Sequence, residues 1–539
     1  MPMCHPKRVR LEPIALLALP LLLGALVYGA PAARADAAAP ATGCSPEIDF
    51  DPASPGFLSG DSTQAGKDQA AADCYAWQMF VALNWPVDPA WPGTVARAGE
   101  PDRYADVIHW GVPEAPNRPL SRPAVWQSFK PAADIFKPKA ASPSEWGVVA
   151  AMPAKCKSAQ KLDLPGPRLG RVLRFQSKLP VDQATGRYRA TGTLVEQSSS
   201  VRQAAGGWLT DQQGKLVWYD ILVSRAEFEY INDEGLYDAA NQHKVANNAD
   251  GDHPEGLSLP RGVPPAPDAG GPQRWPQLGA FEVKAAWRVL TGRDELYPRY
   301  LTSIAWLQDP DTGACTEEVV GLVGLHIIHA SKTFPDFIWA TFEQVDNVPG
   351  NQGETPPAAG YSFNNPECDG PHCEPNQARL RCDAKGECKA LYPRHEPVQV
   401  TRVHPTPKAL DDLNAKVVAL IASQTASRSV FQYYKLVNVL WDPSPSESDP
   451  GPAAAVPLHF GGFASQGDLP VANTTLETYA QASTCTDCHA SATIAGSKTL
   501  ASDFSFLFGT ADTAQQDSPL AEALHGQQAT SSRQPEAHR

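Results

Sequence analysis

The sequence predicts an α+β fold, a β-rich body followed by a C-terminal, mostly helical segment. Three observations predict it. Runs rich in β-branched and aromatic residues recur between Trp146 and Glu343. Fifty-two prolines and forty glycines in 539 residues favour short strands and long loops over a helical bundle. Near the end of the chain, Thr474-Thr475-Leu476-Glu477 has the spacing of a capping box, which predicts a helix opening at about Leu476. The resulting division is a leader over 1–35, a β-rich body over 36–365, a Cys-rich loop over 366–390, a continuation of the body over 391–470, and the C-terminal segment over 471–539.

The leader reads as a cleaved export signal. Lys7, Arg8 and Arg10 precede an apolar run from Ile14 to Ala30, and Ala33-Arg34-Ala35 supplies small residues at the cleavage spacing. The run is short for a membrane span and contains Pro20, and no later segment approaches about eighteen consecutive apolar residues. The expectation is an exported, periplasmic or extracellular chain with no transmembrane segment after cleavage. Loss of Lys7, Arg8, Arg10 and Arg34 against Glu12 takes the formal charge from −14 to −17. So acidic a chain is unsuited to nucleic acid, whose phosphates repel it, and is suited to a basic protein partner.

Within the body, "DQAAADCYAWQMFVALNWP" places Cys74, Trp77, Phe80 and Val81 at helical spacing, and Pro86 ends the helix. "RLGRVLRFQSK", "GRYRATGTLVEQ" and "KLVWYDILVS" read as strands, the last closing a hairpin through the Gln-Gly turn of "GWLTDQQGKLVWYDILVS". "FEVKAAWRVL", "YLTSIAWLQD", "EVVGLVGLHIIHAS" and "FIWATFEQV" repeat the character. Between them, residues 240–275 read as a long polar loop, covering a site or mobile. Leu410, Leu413, Val417, Leu420 and Ile421 form one apolar face of a helix over Lys408–Ala426, and "SVFQYYKLVNVLW" follows as a strand.

Cysteine usage fits export. Cys4 leaves with the leader. Cys44, Cys74, Cys156, Cys315, Cys368, Cys373, Cys382 and Cys388 are even in number, which predicts four disulfides whose pairing spacing alone leaves open. The last four, spaced C-x4-C-x8-C-x5-C around His372, read as a stapled loop and do not match the C-x2-C knuckles of a zinc site.

The remaining two, Cys485 and Cys488, precede His489 in "STCTDCHASATIAGS". C-x-x-C-H is the array for covalent haem attachment: two thioethers reach the two vinyl positions, and the adjacent histidine lies under the iron as proximal ligand. One haem c is therefore expected, on Cys485 and Cys488, with His489 on the iron. At these residues the chain resembles the c-type cytochromes, over about 474–509. "AWQMFVALNWP", "GLVGLHIIHASKTFPDFIWATFEQVDN" and "DFSFLF" are also similar to large exported single-haem proteins of the cytochrome c family, a likeness covering most of the mature chain. The resemblance implies haem binding and electron transfer but no substrate. The chain departs from small cytochromes in carrying its C-x-x-C-H near the end with no methionine after it.

A second iron ligand must then come from upstream. His326 and His329 in "GLVGLHIIHAS" face opposite sides of a strand, so one of them at most meets a given haem face, and His326, deeper in the apolar run, is the candidate distal ligand. Met79 and Met152 read as core residues. His459 and His525 are weaker candidates, His372, His395 and His404 lie in loops, and His109 stays open. Phe504, Phe506 and Phe508 alternate, as on one face of an extended segment that packs into the body or lines the haem edge. Asp250, Asp252 and Glu255 read as a solvated turn, lacking a twelve-residue calcium loop. No P-loop, G-x-G-x-x-G, G-x-S-x-G or H-E-x-x-H motif is present. The functional expectation is an exported electron carrier with a redox partner protein. The alternatives are a haem oxidoreductase or peroxidase-like enzyme, with the large body holding a substrate and a distal histidine such as His326, and a haem-based binding or sensing module.

Overall fold

The computed structural model describes residues 41–45, 47–54, 65–174, 188–189, 207–249, 251–262, 278–290, 294–309, 312–350, 356–370, 373–382, 387–443 and 462–514. The leader, His372, His459, His525, Asp250 and most of the "GRYRATGTLVEQ" run lie outside them. The described residues belong to one unit, Pro40–Arg539.

The strands among them are β1 (Lys130–Pro131), β2 (Arg168–Leu173), β3 (Tyr188–Arg189), β4 (Trp218–Val223), β5 (Phe281–Val289), β6 (Thr302–Gln308), β7 (Cys315–His329), β8 (Ile338–Gln344), β9 (Leu380–Cys382), β10 (Glu387–Ala390), β11 (Tyr434–Trp441) and β12 (Ala464–Ser465). Nine of them make one sheet in the order β1-β4-β5-β7-β8-β11-β12, with β6 also on β7 and β2 on β6; β3, β10 and β9 form a separate small sheet. Every pairing but the parallel β2–β6 is antiparallel.

The fifteen-residue β7 is the axis. Its first half pairs with β6 and its second half with β8, while β5 runs along its other edge. Tyr434 fills the fork where β6 and β8 part: its hydroxyl accepts from Leu301 N at 2.9 Å and donates to Leu322 O at 2.9 Å.

One face of this sheet is closed by the Gln69–Leu83 helix, opened by Asp68, whose carboxylate accepts from Ala71 N. The helix is buried almost all round, as a helix between two layers must be. Trp77 and Phe80 pack on Phe342 of β8, with ring centroids 5.1 and 4.5 Å apart. The Lys408–Thr425 helix lies outside it, and Asn414 Oδ1 accepts from Trp77 Nε1 at 3.1 Å. Met79 sits in this core, 4% exposed, and Met152 is half-buried elsewhere.

Three disulfides are described: Cys44–Cys74, Cys156–Cys315 and Cys368–Cys373. The side chains of Cys382 and Cys388 lie outside the described residues, so the fourth expected bridge does too.

The expected fold class is corrected at its C-terminal end. From 471 to 514 the chain is mostly turns, with one five-residue α-helix, Cys485–His489, and short 3-10 turns such as Phe508–Thr510. The architecture is thus one large, predominantly antiparallel sheet with few helices, and not an α+β body with a mostly helical terminal segment. The reason is visible at Thr474. Its N–H donates to Glu343 Oε1 at 2.5 Å in the sheet, so a tertiary partner takes the place of the Glu477 carboxylate that a capping box needs there.

Candidate functional site

Alternation along β7 and its neighbours sorts the sheet into two faces. Leu325, Ile327 and His329 face the Gln69–Leu83 helix; Gly324, His326 and Ile328 point the other way, with Glu282 and Lys284 from β5 and Trp339, Thr341 and Glu343 from β8 beside them. The segment after Val471 lies across this second face.

It is seated by a buried polar turn. Asn473 Nδ2 donates to Thr341 Oγ1 and to Phe342 O, both at 2.9 Å, while its Oδ1 accepts from Thr475 N and Oγ1. Glu343 also pairs with Arg402. A Cβ on Gly324 would stand 2.1 Å from Thr475 Oγ1, so only glycine at this point of β7 lets the turn approach. The expected capping box does not form: the Glu477 carboxylate accepts from Asn473 N at 3.0 Å and not from Thr474 N, and no helix follows.

Glu477 then reaches the strand. Its Oε2 lies 3.1 Å from His326 Nε2, and Lys284 is the cross-strand neighbour of His326. Eight residues on, the chain turns into Cys485–His489, where Asp487 accepts from Thr484 N at 2.8 Å to close the first turn. His489 Nδ1 is 2.8 Å from Phe504 O. A carbonyl can only accept, so Nδ1 carries the proton and Nε2 keeps its lone pair when the ring is neutral. Burial holds the ring neutral, pulling its pKa down to about 4; the positive charges of Lys284 and His326 push the same way, and Phe504 O and Glu477 push against it. Trp339 meets the imidazole edge-on, centroids 4.8 Å apart, and Phe506 lies against it at 4.7 Å.

Neither Cys485 nor Cys488 is joined in a disulfide. Burial raises the Cys485 pKa well above the usual thiol range, assisted by the Glu477 charge, so it is a protonated thiol. Burial also lowers the amine of Lys284, opposed by the negative charges of Glu477 and Cys488. By accessible surface Lys284, Cys485, Cys488 and His489 are half-buried.

The far end of the segment is clamped by residues expected to form a loop. Ala239–Ala246 is a helix, capped by Asp238. Its His243 Nε2 donates to Ala495 O at 2.9 Å, and its Gln242 accepts from Ala495 N at 3.1 Å. Arg261 forks onto Asp503, with Nη1 to Oδ2 at 2.8 Å and Nη2 to Oδ1 at 3.0 Å. The strand-like alternation of Phe504, Phe506 and Phe508 proves to be turns; Phe504 and Phe508 are buried and Phe506 half-buried.

The structure therefore brings the Cys485–His489 turn and His326 to one face of the sheet, with Lys284 and Glu477. It keeps His329 away, sealed in the core on the other face. There His329 Nε2 bonds Leu278 O at 2.6 Å, Tyr75 OH bonds Nδ1 at 3.2 Å, and the ring stacks on Phe281 at 3.8 Å. His109 and His395 are exposed, His404 is half-buried beside Arg402, and Asp252 and Glu255 are exposed. Sequence reasoning missed Lys284 and Glu477 as members of the site. The available signal for Lys284 was a lysine inside the apolar run "FEVKAAW".

The residues present fit a covalently attached haem: two cysteines outside any disulfide, and a neutral histidine whose Nδ1 is bonded to Phe504 O and whose ring meets Trp339 and Phe506. Among the described residues no group of three or more His, Cys, Asp or Glu side chains is arranged to hold a bare metal ion. No helix of the described residues is long and apolar enough to cross a membrane. Compared with protein-family models, curated proteins and solved structures, the chain matches none.

Proposed function

We propose that this chain is an exported haem protein that passes electrons through one haem, held covalently by Cys485 and Cys488, with His489 as an iron ligand. One observation carries the reading. Six described cysteines are joined in three disulfides, whereas the two of the C-x-x-C-H array stay reduced beside a histidine whose tautomer leaves Nε2 available. Disulfides belong to oxidising compartments, where two nearby thiols are kept apart only by another use.

When bound, the haem supplies a centre that takes up and releases single electrons. The chain's own residues supply the rest. Phe504 O orients His489 and strengthens it as a donor through its hydrogen bond to Nδ1. Trp339 and Phe506 pack against the imidazole and would hold its ring in place for the iron. The sheet, with Gly324 admitting the 473–475 turn, holds these groups at fixed spacing, which suits transfer without rearrangement. A formal charge of −14 favours a redox partner protein with a basic docking face.

The test is acid–acetone extraction of protein produced by export into a haem-attaching compartment. Haem is expected to stay with the polypeptide, to be lost in the Cys485→Ala/Cys488→Ala double variant, and to titrate as a one-electron couple. Complete extraction from the unmodified chain would refute the reading.

A further inference from the structure

We propose that the iron ligand opposite His489 is the side-chain amine of Lys284, and not the imidazole of His326. This rests on the haem reading above and adds the second coordination position to it.

Trp339, which meets the His489 ring, lies on the same face of the sheet as His326 and Lys284, and Glu477 reaches that face from the overlying turn. Glu477 is an anion and His326 is committed to it, with Nε2 and Oε2 3.1 Å apart. The carboxylate cannot follow a moving imidazole. It is fixed by Asn473 N, and Asn473 is itself bonded to Thr341 and Phe342. Turning His326 Nε2 towards an iron would break its contact with Glu477 Oε2, an oxygen that Asn473 N holds in place. The other ring nitrogen, Nδ1, lies next to the backbone and is the more hindered donor.

Lys284 has no such commitment. It stands directly across from His326 on the neighbouring strand, so both side chains leave the sheet on the same side. Among the described residues its amine makes no hydrogen bond and no ion pair at contact distance, and Glu477 acts on it only through space. Its four-carbon stem also lets the nitrogen reach past the shorter histidine. With Lys284 on the iron, the His326–Glu477 pair stays intact as a neighbour that orients and does not ligate.

The experiment uses the haem-loaded full chain in the ferric state. The unmodified protein is expected to be low-spin, with a near-infrared charge-transfer band at the energy of histidine–amine and not bis-histidine ligation. Lys284→Leu, which offers the iron no donor atom, should convert it to high-spin, and His326→Gln should leave it low-spin. A bis-histidine band, a high-spin unmodified protein, or conversion by His326→Gln but not by Lys284→Leu would overturn the assignment while leaving the haem in place. Absence of covalently retained haem is seen earlier, at extraction, and removes the haem reading itself. If Lys284→Leu does not fold, the near-infrared band of the unmodified protein decides alone.

Discussion

The two faces of the central sheet are made by the same strands and differ in almost everything else. Towards the Gln69–Leu83 helix, β7 and β8 present Leu325, Ile327, Phe342, Ala340 and Ile338, fully buried or nearly so, and a histidine whose two nitrogens are both bonded. Towards the C-terminal segment, the intervening positions are Gly324, His326, Thr341 and Glu343, with Glu282 and Lys284 alongside. The first face gains its free energy from apolar area removed from water. On the second, buried charges and hydroxyls cost desolvation, offset only by specific partners. A face of the first kind tolerates any well-packed cover. A face of the second kind accepts one cover in one register, as a site requires.

The largest effect should come from the apolar face. Phe342→Ala removes the ring against which Trp77 and Phe80 pack, and large-to-small changes of this type cost about 3–5 kcal/mol. Guanidinium unfolding should show that loss, while protein that remains folded keeps its complement of haem. A loss below about 1 kcal/mol would mean that the helix layer is not the core.

Next comes the wedge between the faces. Gly324→Ala places a methyl where Thr475 Oγ1 stands, 2.1 Å from the new carbon, and either the turn or the strand must move. Overpacking of this kind costs about 1–3 kcal/mol, here expected near the upper end. The distinguishing readout is local. Limited proteolysis should cut between 471 and 490 in the variant before it cuts the sheet, and Thr475→Ala in the same chain should restore protection. Equal protection of variant and parent would show that the segment does not depend on this contact.

Legibility in the sequence follows the same division. The first helix, expected to end at Pro86, spans Gln69–Leu83, and the helix expected over Lys408–Ala426 spans Lys408–Thr425. Both carry long apolar patterns that end at clear signals. The opposite facing of His326 and His329 was legible from the two-residue period of a strand alone. The eight-residue helix Ala239–Ala246 was not, because its pattern is short, although Asp238 was available as its cap. The C-terminal segment misled for a physical reason. Thr474 and Glu477 have the right local chemistry for a helix start, but their polar groups find partners in Glu343, Asn473 and His326. No local pattern contains those distant contacts. Lys284 escaped because a search confined to histidine and methionine passes over an amine that only its surroundings single out.

The smallest effect separates the faces by the sign of their pH dependence. On the apolar face, burial lowers His329 to about 4, and its bond to Leu278 O only partly opposes this. The folded state then refuses a proton that the unfolded state accepts below about 6.5, so stability from this group is lost as pH falls from there towards 4. Behind the polar face, Glu227 is fully buried, and its carboxyl faces that of Glu282, to which the protonated acid can donate. Burial raises its pKa well above the usual carboxylate value, and the negative charges of Glu282 and Asp503 add to the rise. Arg261 is already forked onto Asp503. Here the folded state keeps a proton that the unfolded state releases above about 4.5, so stability is lost as pH rises from there. Glu227→Gln retains the shape of the protonated acid without its titration. It should leave stability unchanged near pH 4 and raise it by about 1 kcal/mol at pH 7, the scale of a single buried hydrogen-bonding group. Urea titrations at the two pH values give the difference directly. If the variant and the parent lose stability in parallel as pH rises, Glu227 is ionised in the folded protein, and the polar face must then supply it with a cation.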